Sequence, residues 1–217
     1  MALARLLNDE AIGGHAEEAR QHYVDALDVS DTLAKQYPED DQAQLLRVRV
    51  GRTLGKFMAG LGPDYADDAA AAYDEVSQLA AEVLAGSGSE ISELGMALRR
   101  EVLTLLLEQV DCLLKQAGAK WEAIEPILDD AKEILDGLKR DRPKNHQLVH
   151  EEARLQDKKG EYFYRGGNME QALSTWNKAE ACLIEVLEAD PSNRQATSDM
   201  EAIRAKIALA RRRRRLN

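Results

Sequence analysis

Aromatic residues are scarce in this chain: two Trp, six Tyr and two Phe make up 5% of its 217 residues. Val, Ile and Thr are few beside Ala, Leu, Glu, Arg and Lys, a mix that favours helix over sheet. No apolar stretch approaches the roughly 18 residues a membrane-spanning helix needs. The first 14 residues meet Asp9 and Glu10 before any long apolar core forms, so no secretory leader is expected there. There are only two cysteines, Cys112 and Cys182, each inside an apolar helical pattern and neither in a Cys-x-x-Cys pair. They read as buried free thiols in a reducing cytoplasm, with a disulfide possible but unmotivated. At 44% apolar and 31% charged, the composition excludes a disordered chain.

Positive charge is also in short supply, with 29 Lys and Arg against 39 Asp and Glu, a net of −10. That balance argues against a general nucleic-acid binder, which needs a basic surface at the phosphates. It is uneven, however. Arg211, Arg212, Arg213, Arg214 and Arg215 form one run near the C-terminus, and without them the remaining chain has a net of −15.

What is present is regular punctuation. Gly13-Gly14, Pro38, Gly60 to Pro63, Gly86 to Gly88, Gly118, Pro143, Gly166-Gly167 and Pro191 separate segments whose apolar spacing is three or four, not two. This predicts an all-α protein of about nine helices, near 2–12, 15–36, 41–60, 64–85, 89–117, 119–140, 144–165, 168–189 and 192–214. The short connections force neighbours to pack as antiparallel hairpins.

The hairpins repeat. Ala19, Tyr23, Ala26, Leu33 and Pro38 stand at relative positions 0, +4, +7, +14 and +19. The same spacing gives Ala172, Trp176, Ala179, Val186 and Pro191, and again Ile124, Leu128, Ala131, Leu138 and Pro143. A fourth set is Ala69, Tyr73, Val76 and Val83, with Gly88 in place of proline. A turn glycine precedes each set: Gly14, Gly62, Gly118 and Gly167. Small residues let helices approach closely, the large residue at +4 fills the gap, and glycine or proline ends the element. Each hairpin has an apolar face that only a neighbour can bury, which is the condition for a stacked solenoid.

This pattern resembles the tetratricopeptide repeat. Gly160, Phe163, Gly167, Ala172, Trp176 and Ala179 fall at that family's spacing. The terminal proline comes seven residues late, two helical turns. The period near 50 is similar to the long units of bacterial signalling and effector proteins. The resemblance implies a single right-handed solenoid over 1–217, with hairpins about 1–37, 41–86, 89–141 and 144–190 and a capping helix at 192–215. Two features depart from it. Pro126 lies inside the sixth helix, and the fifth lacks the Gly-aromatic signature, with Cys112 at the glycine position. The third hairpin is therefore expected to be the least regular.

No catalytic constellation emerges. Gly86 to Ser89 lacks the lysine of a phosphate loop. His146 and His150 are spaced as metal ligands on one helix face, but two ligands without a third are not a site. No cofactor is called for, and a non-enzyme is expected.

The resemblance also locates a partner surface, the concave groove lined by the first helix of each hairpin. Carried over by the glycine anchor, the groove positions are Arg49, Arg52 and Lys56 ahead of and beside Gly55. Around Gly160 they are Arg154, Asp157, Glu161, Tyr164 and Arg165, and in the third hairpin Gln109 and Gln116. Arg and Tyr suit interface anchors, and the groove would take an acidic or helical peptide from a protein partner. Asp157 and Glu161 occupy places where binding of a chaperone's acidic tail would need Lys and Asn. The alternative is a solvated face whose charges pair with nearby Asp and Glu. For the Arg run three readings stay open: a helix-dipole complement, a site for an anionic partner such as nucleic acid or an acidic membrane, or a linker remnant. Self-assembly through exposed solenoid faces is a third class of function.

Overall fold

The computed structural model describes residues 16–86, 92–116, 121–143 and 145–216. Eight α-helices lie among them: α1 Ala16–Gln36, α2 Asp41–Gly60, α3 Ala66–Gly86, α4 Glu93–Lys115, α5 Trp121–Asp141, α6 His146–Arg165, α7 Met169–Ala189 and α8 Arg194–Leu216. A 3-10 turn, Pro63–Tyr65, precedes α3, so that helix starts two residues later than expected. The expected helix at 2–12 lies outside the described residues, as do Gly14 and Gly118. The chain is thus an all-α array of antiparallel hairpins, and no described helix is long and apolar enough to cross a membrane.

Side-chain caps set most of the helix starts. Asp40 accepts from Gln42 N at 2.8 Å, Asn145 from Gln147 N at 2.9 Å and Asn168 from Gln171 N at 3.1 Å. Ser92 accepts from Gly95 N at 2.8 Å, which fixes the start of α4 at Glu93 rather than near Ser89. Two of the four turn glycines lie among the described residues and take a turn conformation. Gly62 and Gly167 hold φ of 117° and 81°, the left-handed region that other residues avoid. The helix α5 starts at Trp121 and runs through Pro126.

The described residues fall into two compact units, 1–117 and 118–217, with α4 in the first and α5 in the second. In unit 1, α2 packs on α1, α3 and α4, and α3 also meets α4. In unit 2, α7 packs on α6 and α8, and α5 packs on α6. The repeat positions explain both cores. Ala172, Trp176, Ala179, Leu183 and Val186 are buried in α7, and Ile124, Leu128, Ala131, Leu135 and Leu138 in α5. In α3, Ala69, Tyr73, Val76 and Ala80 are buried. The set in α1 is different: Ala19, Tyr23 and Ser30 are buried, but Ala26 is only half-buried and Leu33 is 37% exposed.

In two of the hairpins, glycines on the first helix make room for the large residue on the second. A Cβ on Gly160 would lie 2.4 Å from the Trp176 indole nitrogen, and one on Gly55 would lie 3.0 Å from the Tyr73 ring. A Cβ on Gly51 would lie 2.2 Å from Val76. The Trp176 and Tyr73 rings therefore lie against helix backbone, and burial pushes the Tyr73 phenol above its ordinary value.

Candidate functional site: two polar ladders

Three of the expected groove residues lie on α2. Leu46, Arg49, Thr53 and Lys56 recur at three- and four-residue spacing, which gives that helix one exposed edge. The neighbouring α4 contributes Glu101 and Glu108, seven residues apart and so on one face. Arg49 Nε donates to Glu101 at 3.2 Å and Arg52 Nε to the same carboxylate at 2.7 Å. Arg52 Nη1 reaches both Glu108 oxygens at 3.0 and 3.1 Å, and Lys56 Nζ lies 3.6 Å from Glu108. The five charges alternate: Arg49, Glu101, Arg52, Glu108, Lys56. Pairs advance along both helices together, so α2 and α4 run in the same direction.

The depth of these groups differs by sign. Side-chain exposure is 54% for Arg49 and 68% for Lys56, against 12% for Glu101 and 17% for Glu108. The cations stand outward over recessed carboxylates. Arg52 lies between, and burial alone would lower its affinity for the proton. Glu108 and Glu101 outweigh that and hold the guanidinium above its ordinary value. The strip expected to be basic is thus internally paired with carboxylates, with one cation in excess over the five groups.

Unit 2 carries a second ladder between α6 and α8. His150 Nε2 hydrogen-bonds Asp199 at 2.8 Å. Seven residues on, Lys206 Nζ donates to both Asp157 oxygens at 2.7 and 2.8 Å. Seven further, the Arg213 guanidinium lies 5.5 Å from the Tyr164 ring centroid and donates to its hydroxyl at 3.4 Å. Each rung joins residues 49 apart in sequence. The same separation joins Arg52 to Glu101 in unit 1. Asp157 also accepts from the Trp176 indole at 3.0 Å, which ties the ladder to the core ring beside Gly160.

The remaining expected groove residues are paired along their own helix, Arg154 with Glu151 at 2.8 Å and Arg165 with Glu161 at 2.9 Å. Gln109 and Gln116 are not groove residues. Gln109 is buried and accepts from Ser77 Oγ at 2.8 Å, and Gln116 donates to the Ala66 carbonyl at 2.9 Å. Both serve the contact of α4 with α3, because Cys112 in the glycine position is itself buried against that helix. Burial pushes the Cys112 and Cys182 thiols up, which leaves them poor nucleophiles. The Arg run is helical. Arg213 lies over Tyr164 and, like Arg211, Arg212 and Arg214, is exposed.

The metal spacing of His146 and His150 leads nowhere in particular. His150 is taken by Asp199, His146 is exposed, and among the described residues no three His, Cys, Asp or Glu side chains group to hold an ion. The partners Glu101, Glu108, Asp199 and Lys206 were missed by sequence reasoning. The repeat period held the signal, since stepping about one unit from Arg52, His150 or Asp157 arrives at each of them.

No family profile matches the chain, and no curated protein does. Among solved structures, one from the computational design of self-assembling cyclic protein homo-oligomers is 16% identical, covering 98% of this chain and 90% of that one, with a TM-score of 0.47. The DHF79 filament is 16% identical over 93% of each chain, with a TM-score of 0.40. A de novo designed helical repeat protein is 15% identical over 98% of this chain and 89% of that one, with a TM-score of 0.34. These likenesses concern the arrangement of helices alone.

Proposed function

We propose that the protein is a non-catalytic interaction module, an adaptor, sensor or regulator, that holds an acidic segment of a protein partner along the α2 edge. The observation that carries this reading is the depth difference in the first ladder. Arg49 and Lys56 are outward while their carboxylates are recessed, so a partner carboxylate meets cations first. Leu46, exposed on the same edge, offers an apolar contact beside the charges. Pairing with the carboxylates below restrains the two cations and lowers the ordering cost of binding.

The finer assignment belongs to the same proposal: long tetratricopeptide-like hairpins with right-handed winding. It is supported by the Gly55–Tyr73 and Gly160–Trp176 contacts and by rungs 49 residues apart. The test uses immobilised helical peptides rich in Asp and Glu, with and without a central leucine. Wild type is expected to retain a subset at low salt. Arg49→Glu/Lys56→Glu is expected to bind the same peptides at least about tenfold more weakly, since it replaces attraction by like-charge repulsion. Equal retention by both proteins defeats the reading. Arg52 is left unchanged because its loss would also destabilise unit 1.

A further inference from the structure

The contact between α1 and α2 holds two polar side chains that are buried yet not fully bonded. Gln44 and Arg47 are 7% and 9% exposed and stand three residues apart on one face of α2. Gln44 Nε2 donates to the carbonyls of Ala34 and Pro38 at 3.1 and 3.2 Å. Ala34 lies in the last turn of α1, and the residue four further on is Pro38, which has no N–H to give its carbonyl. Gln44 therefore closes the end of α1, and both hydrogens of its amide are used in doing so. That fixes which way round the amide sits, because a flipped amide would set its oxygen against two carbonyls. Arg47 also reaches back to α1, through Nη2 to the Asp31 carboxylate. The two contacts advance in opposite directions along the two helices, as an antiparallel pair requires.

What remains is one acceptor and one donor. Gln44 Oε1 and Arg47 Nε are both buried, and among the described residues neither has a hydrogen-bond partner, so they do not bond each other. An amide oxygen or a guanidinium N–H left buried and unbonded costs free energy, and native proteins rarely leave two on one helix face. The group that satisfies both must accept from a cationic N–H and donate to an amide oxygen. An anion has no hydrogen for Gln44, and a metal ion has no lone pair for Arg47. A water molecule does both.

The repeat shows that this polarity is particular to the α1–α2 contact. Gly55 corresponds to Gly160, and the same step carries Ser30 to Leu135, Gln44 to Val149 and Arg47 to Glu152. In that second contact, of α5 with α6, Leu135 is buried and Glu152 pairs directly with Lys139. Apolar side chains stand there in place of Ser30 and Gln44, and the charged residue has a partner across the contact.

We propose that an internal water molecule bridges Arg47 Nε and Gln44 Oε1 as a structural part of the α1–α2 contact. It accepts from the guanidinium and donates one hydrogen to the amide oxygen. The side chain that closes α1 and the one that pairs with Asp31 then form a single chain of hydrogen bonds. The site lies on the α1 side of α2. The edge from Arg49 to Lys56 meets α4 instead, so the reading of that edge stands or falls by itself.

Water-selective NOE and ROE spectroscopy of the full 217-residue chain at the Arg47 Nε–H tests this, with the signal assigned by its loss in Arg47→Lys. A cross-peak to water is expected, with NOE and ROE of opposite sign, the mark of a water that tumbles with the protein. Ser30 donates to the Leu27 carbonyl at 2.9 Å and is the buried hydroxyl of α1 through which such a peak would be relayed, so the peak should persist in Ser30→Ala. Gln44→Met removes the acceptor at similar length and is expected to weaken the peak at least about fivefold, with circular dichroism confirming the fold. A crystal structure of wild type gives a reading that needs no variant, one buried water within hydrogen-bond reach of both atoms. An Arg47 signal without a water peak overturns the proposal, as does a signal lost to fast exchange, since the group would then be open to solvent. A peak that vanishes in Ser30→Ala, full intensity in folded Gln44→Met, or a crystal in which Arg47 Nε bonds Gln44 Oε1 directly does the same.

Discussion

The two units solve one packing problem with opposite polarity. Both align two helices of like direction and join them by polar rungs at heptad spacing. In unit 1 the cations Arg49, Arg52 and Lys56 lie on the earlier helix and the carboxylates Glu101 and Glu108 on the later one. In unit 2 the carboxylates Asp157 and Glu161 lie on the earlier helix and Lys206 on the later one, with His150 and Asp199 reversed. The units also differ in what stands behind the ladder. In unit 2 the Trp176 indole donates directly to Asp157, so core and ladder are one network. In unit 1 the equivalent ring, Tyr73, packs on Gly55 and feels the charges of Glu108 and Arg52, while the ladder above it is a chain of ion pairs. A repeat can therefore keep its geometry while the chemistry of its edge is exchanged.

The largest expected break of this comparison is at the glycines. Gly160→Ala drives a Cβ into the indole and disturbs the bond to Asp157, for an expected loss of about 2–3 kcal/mol in urea unfolding. Gly55→Ala meets a ring edge at 3.0 Å and gains helix propensity of about 1 kcal/mol, so its net change should stay within about 1 kcal/mol of wild type. Equal costs at the two sites would show that unit 2 is not more tightly coupled.

The ladders themselves come next. Arg52→Met leaves two recessed carboxylates without their shared guanidinium and is expected to cost about 2 kcal/mol. Lys206→Met leaves Asp157 still bonded to Trp176, for an expected loss of about 1 kcal/mol. Guanidinium chloride would mask ion pairs, so urea midpoints are the measurement, and a Lys206 variant that costs more than the Arg52 variant inverts the comparison.

The smallest effect is in acid. Burial would raise the Asp199 carboxyl, but hydrogen bonds from His150 and Gln195 and the nearby charges of His150 and Arg154 outweigh it and hold the group below its ordinary 3.8. The folded state thus binds this proton less readily than the unfolded one. The stabilisation is present above the ordinary carboxylate range and is lost as pH falls through the lowered folded value. Wild type should therefore exceed Asp199→Asn in urea midpoint near neutrality, and the gap should narrow steadily as the solution is acidified. A gap that widens in acid would mean that Asp199 is not stabilised as an anion.

Much of the fold was legible because glycine, proline and the +4 residue are local signals. The expected bounds of α2, α6 and α7 fall within two residues of those found, and Gly62 and Gly167 take the turn conformation their positions imply. The start of α4 was misplaced because Ser92, not Ser89, caps it. Gln109 and Gln116 were misassigned because an anchor without glycine does not set the helix rotation, and the side chains turn toward α3. The site was legible only by half. Periodicity put Arg49, Arg52 and Lys56 on one edge, but charge pairing depends on which helix lies alongside, and that is a property of packing. The exposed Leu33 likewise reads as core in every local pattern. Among the described residues it has no covering helix but α2, and this distinguishes it from Leu138 and Val186.

The placement of the indoles has a practical consequence. Both tryptophans of the chain, Trp121 and Trp176, lie in the second unit, the first 5.8 Å from Tyr162 and the second buried against Gly160. Emission excited selectively at the indole band therefore reports on that half of the molecule alone, while far-ultraviolet dichroism sums the helices of both. Denaturation curves from the two signals superimpose only when the halves melt together. Any separation between them resolves the stability of each half in a single unlabelled sample.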